Sequence, residues 1–166
     1  MPDKKTKTQM LMQAVSKELC AINGQSGEVK RFASLYRHNV DNEPGENPEL
    51  FGRIIQNLPE ELRGNGFAEH AAYTALTLAA FSGNNGEANL AEAISHIEHN
   101  ENLIKRFRTA ETAKNISELR YKLRRVLKII ASKGQTVNYT ILAAELYNWQ
   151  YSKAAQIRKW ERNLIK

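Results

Sequence analysis

Met10, Leu11, Ala14, Val15, Leu19 and Ile22 recur at three- and four-residue steps, which predicts a helix over Thr8–Ile22 with one apolar face. Asn23-Gly24 stops it, and Ser26-Gly27 opens the next segment. Val29, Phe32, Ala33 and Tyr36 form the apolar side of a second helix over Glu28–Asn39, with Lys30, Arg31 and Arg37 lying off that side. Asp41–Pro48 (DNEPGENP) reads as a loop. Asn47-Pro48 starts a third helix, with proline at the first helical position, carrying Leu50, Phe51, Ile54, Ile55 and Leu58. After the connection Pro59–Gly66, the Ala-rich stretch Phe67–Phe81 is apolar on nearly every side and predicts a central buried helix. A turn at Ser82–Gly86 and a short amphipathic helix over Asn89–Ile97 follow, and a further helix begins near Asn102. Asn115–Ser132 reads as the longest helix, with Ile116, Leu119, Leu123, Val126, Leu127 and Ile130 on one stripe and Lys133-Gly134 as its stop. Val137–Trp149 and Tyr151–Ile165 complete the pattern.

Composition agrees with that pattern. Ala and Leu are abundant, Val is scarce, and Gly and Pro number only 9 and 4 in 166 residues. Helix formers dominate, and the 42% of apolar residues can build a core. The expected class is all-α, about eight helices in two packed bundle lobes, residues 1–100 and 101–166, which together form one compact unit. A single cysteine rules out a disulfide framework and suits a reducing cytoplasm. No apolar run is long enough to cross a membrane, and the start MPDKKTKTQMLMQAV does not read as a cleaved signal peptide.

Charge separates the two stretches. Residues 1–100 hold 9 Lys/Arg against 13 Asp/Glu, a balance of −4, and residues 101–166 hold 15 against 5, a balance of +10. So basic a segment favours a polyanion, most simply a nucleic-acid backbone; the alternative is a solvated basic face. Arg120, Arg124 and Lys128 recur at i, i+4 and i+8 beside the apolar stripe, with Tyr121 and Arg125 on their outer edge. Like charges at this spacing repel, and an anionic partner would relieve them. The alternative is that their stems snorkel along the core. Arg158 and Arg162 repeat the theme around Trp160, which reads as a core anchor. Lys105, Arg106 and Arg108 surround Phe107, another expected core residue.

Catalytic constellations do not emerge. Cys20 is placed on the apolar side of the first helix, as a small core residue. His96 and His99 lack a second ligand cluster, so no metal is expected. SGNNG is not followed by Lys-Ser or Lys-Thr, so it is no phosphate-cradling loop. Asp41, Glu43, Glu46 and Glu49 read as a solvated acidic loop in preference to a cation site. The chain has only two aspartates, Asp3 and Asp41, which argues against a metal-dependent nuclease. No enzyme activity and no cofactor are expected.

The ordered set KRF, LRYKLRRVLKIIASKG, TVNYTILAAELYNW and RKWERNLI resembles the CasB family, the small subunit of the type I-E CRISPR surveillance complex Cascade. GEVKRFASLYRHNV and FAEHAAYTALTLAAF are similar to earlier family segments, so the resemblance spans about residues 10–165. Two positions depart from it: Asn138 stands where the family carries an acidic residue, and Leu164 where it closes on an aromatic. The resemblance implies a non-catalytic subunit of antiviral defence that stabilises the R-loop by holding target and displaced DNA strands. Its implied partners are the backbone and large subunits with their guide RNA, and a second copy of itself. By position it assigns phosphate contacts to Lys30, Arg31, Arg37, Lys105, Arg106, Arg120, Arg124, Arg125, Arg158 and Arg162, to which the basic stripe adds Lys128. Two other readings stay open: a helix-turn-helix regulator built on Ile141–Trp160, and a protein-binding scaffold whose basic lobe meets an acidic partner.

Overall fold

The computed structural model describes residues 5–24 and 26–165. Among them are nine α-helices: α1 (Lys7–Ile22), α2 (Gly27–His38), α3 (Pro48–Asn57), α4 (Gly66–Ser82), α5 (Leu90–Ser95), α6 (Glu101–Glu111), α7 (Ile116–Ser132), α8 (Tyr139–Tyr151) and α9 (Lys153–Leu164), with a 3-10 turn at Glu60–Leu62. No strand occurs among the described residues; one parallel bridge joins Asn85 to Val137. The expected all-α class holds. α7 shares its 17-residue length with α4, so it is not alone as the longest helix.

Asparagine explains most of the helix starts. Asn47, Asn65, Asn89, Asn115 and Asn138 each accept a hydrogen bond from the backbone N–H three residues on, satisfying a donor that has no partner within the helix. Asn138 thereby caps α8 as an aspartate would. At α1 the cap is reciprocal: Thr6 Oγ1 accepts from Gln9 N at 3.1 Å and Gln9 Oε1 accepts from Thr6 N at 2.8 Å. α4 ends on Gly83 and α7 is followed by Gly134, at φ +70° and +76°, the left-handed region that glycine enters at no steric cost.

α4 and α8 form the centre. α4 buries Ala68 and every residue from Ala71 to Ala79, and α8 buries Tyr139, Trp149 and every residue from Leu142 to Tyr147. α8 lies against both α1 and α4, α7 against α4 and α6, and α9 against α5 and α8. A single apolar cluster runs from Leu11 to Trp160. Trp160 and Phe107 are both fully buried and meet edge-to-face at 5.3 Å.

Two polar features organise this core. Glu18 lies on the buried stripe of α1 and accepts from Tyr36 Oη (2.8 Å), Arg53 Nε (2.8 Å) and Asn57 Nδ2 (2.6 Å), while its other oxygen accepts from Arg53 Nη2 (2.8 Å). Cys20, expected inside, is exposed instead. Leu11, Val15, Glu18 and Ile22 make the inward stripe, and position 20 turns away from it. The second feature clips distant connections together. Gly86 N donates to Val137 O, Val137 N to Asn84 O (both 2.8 Å) and Asn138 N to Ala88 O (2.6 Å), and Tyr139 Oη donates to Asn84 Oδ1 (2.6 Å).

A basic cleft between α6 and α7

α6 and α7 pack against each other across a four-residue connection, and each carries an apolar face inward. Leu103, Phe107 and Ala110 of α6 are buried, as are Ile116, Leu119, Leu123, Val126, Leu127 and Ile130 of α7. The helical period then sends Arg106, Lys122, Arg124 and Arg125 outward. With Thr109 and Tyr121 they line a surface cavity of about 340 Å³.

The cations of this cleft are unevenly neutralised. Lys122 Nζ pairs with Glu118 at 2.8 Å, one turn back on the same helix. Arg124 Nη1 donates to both oxygens of Asp41, at 2.8 and 2.7 Å. Its guanidinium also lies over the Tyr121 ring (4.8 Å to the centroid) and towards Phe81 (5.9 Å). Arg106 and Arg125 have no carboxylate partner among the described residues. Four cations face two carboxylates, so the cleft keeps a surplus of positive charge.

The predicted contact residues do not all gather here. Arg106, Arg124 and Arg125 do. Lys128, a turn beyond Arg124, is exposed with its ammonium 4.5 Å over the Phe81 ring. Lys105 is exposed on α6 but does not line the cavity. Lys30 and Arg37 are exposed on α2, and Arg37 lines a separate cavity of about 160 Å³ together with Leu19, Ala33 and Ala79. Arg31 pairs with Glu49 and lies against Phe32. Arg158 and Arg162 are exposed on α9, away from the cleft lining.

Arg120 requires correction. It is 2% exposed, so a phosphate cannot reach it. Nε donates to Val40 O at 2.9 Å, Nη2 pairs with Glu43 at 3.2 Å, and the guanidinium lies 5.3 Å from the Tyr73 ring. Arg120 belongs to the edge of the apolar stripe, and the loop after α2 closes over it. The acidic residues of the loop are exposed, as expected. Two of them also have protein partners: Asp41 and Glu43 supply the counter-charges of Arg124 and Arg120, and Ser117 Oγ donates to Glu43 at 2.6 Å. Tyr73 Oη donates to Asn39 O and Asn42 O (2.8 Å each), which fastens the same loop to α4.

Lys122 does not stand out in the sequence pattern, and Tyr121 appears there only as an edge residue. The Glu118/Lys122 spacing at i, i+4 is legible in the sequence. Their place in a cleft depends on how α6 packs, which is not.

Besides Glu18, two further buried carboxyls lie outside the cleft lining. Burial, then the Glu161 carboxylate, push the Glu111 carboxyl up to about 8. Glu161 is itself held below the usual carboxylate range by its hydrogen bond from Arg108, Nε donating at 2.9 Å, which ties α6 to α9. Burial pushes Glu145 up to about 7, against the lowering effects of Trp160, Lys159 and Gln156. In both groups burial favours the neutral form, which lowers the cost of enclosing them in the helical core.

The fold and this cleft define an all-helical protein whose second half presents a cationic furrow. Solved structures share the architecture. The crystal structure of CasB from Thermobifida fusca superposes with a TM-score of 0.72 at 20% identity, covering 95% of this chain and 96% of that one. A Cse2-family CRISPR-associated protein from Thermus thermophilus gives 0.70 at 15% identity, covering 97% and 99%. A second crystal structure from Thermus thermophilus, described as CasB, gives 0.70 at 18% identity with the same coverage. Among individually curated proteins, none matches. A sequence model of the CRISPR-associated protein Cse2 matches residues 31–163, and the chain belongs to that family.

Proposed function

We propose that this protein is the non-catalytic small subunit of a type I-E CRISPR surveillance complex, where it holds the DNA strands of an R-loop by their phosphates. The observation that carries the reading is the surplus charge of the α6–α7 cleft, with Arg106 and Arg125 free of carboxylate partners among the described residues. Arginine and lysine contacts to a sugar–phosphate backbone position a strand without reading its bases. Opening a target duplex on a guide RNA is a near-balanced exchange of pairings, so backbone contacts of this kind can tip it. Family membership supports the proposed partners: the backbone and large subunits, their guide RNA, and a second copy of this chain. Lys30, Arg37, Lys105, Lys128, Arg158 and Arg162 are further surface cations available to strands or to those neighbours.

The test is DNA binding across a salt series with Arg106→Glu/Arg125→Glu. The double variant is expected to weaken binding to unrelated sequences alike. It should also flatten the slope of log K against log[salt] by about 0.7 for each phosphate of a single strand that is no longer neutralised. Unchanged affinity and slope would remove the cleft from the DNA path. Discrimination of one duplex sequence over others would favour a regulator instead.

A further inference from the structure

We propose that Tyr121 is a base-stacking platform, so that the cleft takes an unpaired nucleotide, base on the ring and phosphates on Arg106 and Arg125. This rests on the DNA reading above and adds to it a selection of single strand over duplex.

Tyr121 is 61% exposed, an unusual position for a large ring on the longer of the two cleft helices. Phe67 and Tyr151 are also exposed, but they meet edge-to-face with ring centroids 5.2 Å apart. Tyr121 has no aromatic partner among the described residues. Its neighbour is the Arg124 guanidinium, 4.8 Å over the ring. That guanidinium is fixed by both oxygens of Asp41, which is anchored in a loop that Tyr73 and Arg120 hold down. The ring is therefore backed on one face by a cation that is itself locked, and the other face is left to solvent. Little ordering remains to be done when a flat group arrives, which lowers the cost of binding it.

Charge completes the arrangement. Arg125 follows Tyr121 by one helical turn, and Arg106 reaches the same cavity from α6. A positive groove beside an open aromatic face is the combination that holds single strands without sequence preference. A cavity of about 340 Å³ lies at the small end of the range for ligand sites, which suits one nucleotide and not a helix. In a duplex the base faces are already stacked, so a duplex can engage the arginines but not the ring.

The full chain is titrated with a fluorescent oligothymidylate and with an abasic oligomer of the same length and charge. Wild type is expected to bind the oligothymidylate about 5- to 150-fold more tightly, the span that base–aromatic stacking commands. Tyr121→Phe should keep that preference, because the ring suffices. Tyr121→Leu should lose it while keeping the salt slope, because the phosphate contacts remain. Tyr121 is largely in solvent, so both variants should melt with wild type. Equal binding of the two oligomers by wild type, or a preference that survives in Tyr121→Leu, overturns the stacking role and leaves the DNA reading standing. Failure of wild type to bind either oligomer at low salt overturns both.

Discussion

Replacing Glu145 with glutamine should stabilise the protein at alkaline pH and leave it nearly unchanged at acid pH. Glu145 is 2% exposed in the middle of α8, and it accepts a hydrogen bond from Gln156 Nε2 at 3.1 Å. Burial raises its carboxyl from the ordinary 4.5 to about 7. The native state thus binds a proton that the unfolded chain has released, so stability falls as pH rises from about 4.5 to about 7 and levels off above that. At roughly 1.4 kcal/mol per pH unit the loss is about 3 kcal/mol. Glutamine has the same shape, carries no charge, and Gln156 can turn its amide oxygen towards the new donor. Urea unfolding of both proteins at about pH 5 and about pH 8.5 measures the difference directly. The variant should match wild type within about 1 kcal/mol at the lower pH. It should gain about 3 kcal/mol at the higher one, or some 6–12 °C in Tm. Glu111 contributes a similar pH dependence to both proteins, and it cancels in the comparison. A gain of the same size at both pH values, or a loss at about pH 8.5, would refute the argument that Glu145 is driven towards its neutral form by burial.

Two further perturbations test the core. Arg53→Ala leaves the Glu18 carboxylate buried with only Tyr36 and Asn57 as donors. The cost should lie at the low end of the roughly 3–5 kcal/mol typical of broken buried pairs, since Arg53 is partly exposed. Denaturant titration should also show that Glu18→Gln in the Arg53→Ala background recovers part of it. Gly86→Ala would drive a methyl group into the Thr136 side chain, where even Thr136 Cγ2 lies only 3.2 Å away. A loss of about 1–3 kcal/mol in thermal melting is expected, with partial recovery when Thr136→Gly removes the obstacle.

The sequence pattern locates the helices because their apolar stripes are regular and their starts carry a local signal. Asn47, Asn89 and Asn115 stand at the residue where a cap is needed, and Gly134 where α7 must stop. What stays hidden depends on contacts between distant segments. Glu18 and Glu145 are charged residues on otherwise apolar faces. Nothing within their own helices shows that Arg53 or Gln156 will meet them. Arg120 and Arg124 share one row of α7, yet the loop after α2 covers the first and only borders the second. Periodicity assigns a residue to a face, and the neighbour on that face decides whether it is surface or core. The cleft is legible to the same extent: the cations of α7 can be read, and their convergence with Arg106 cannot.

The position of α8 also sets the order in which this molecule can be made. Helical bundles whose neighbours in space are neighbours in sequence fold quickly, because little loop entropy is spent before contacts form. Here α1 and α4 each pack most extensively on α8, the eighth of the nine helices among the described residues. On the ribosome the first four helices can already pack on one another and α7 can join α4, but the faces of α1 and α4 that meet α8 stay uncovered while α5, α6 and α7 are synthesised. Only when Tyr139–Tyr151 clears the exit tunnel can the centre close. The nascent chain thus passes much of its synthesis as a sticky intermediate, the stage at which a holding chaperone has most to offer it.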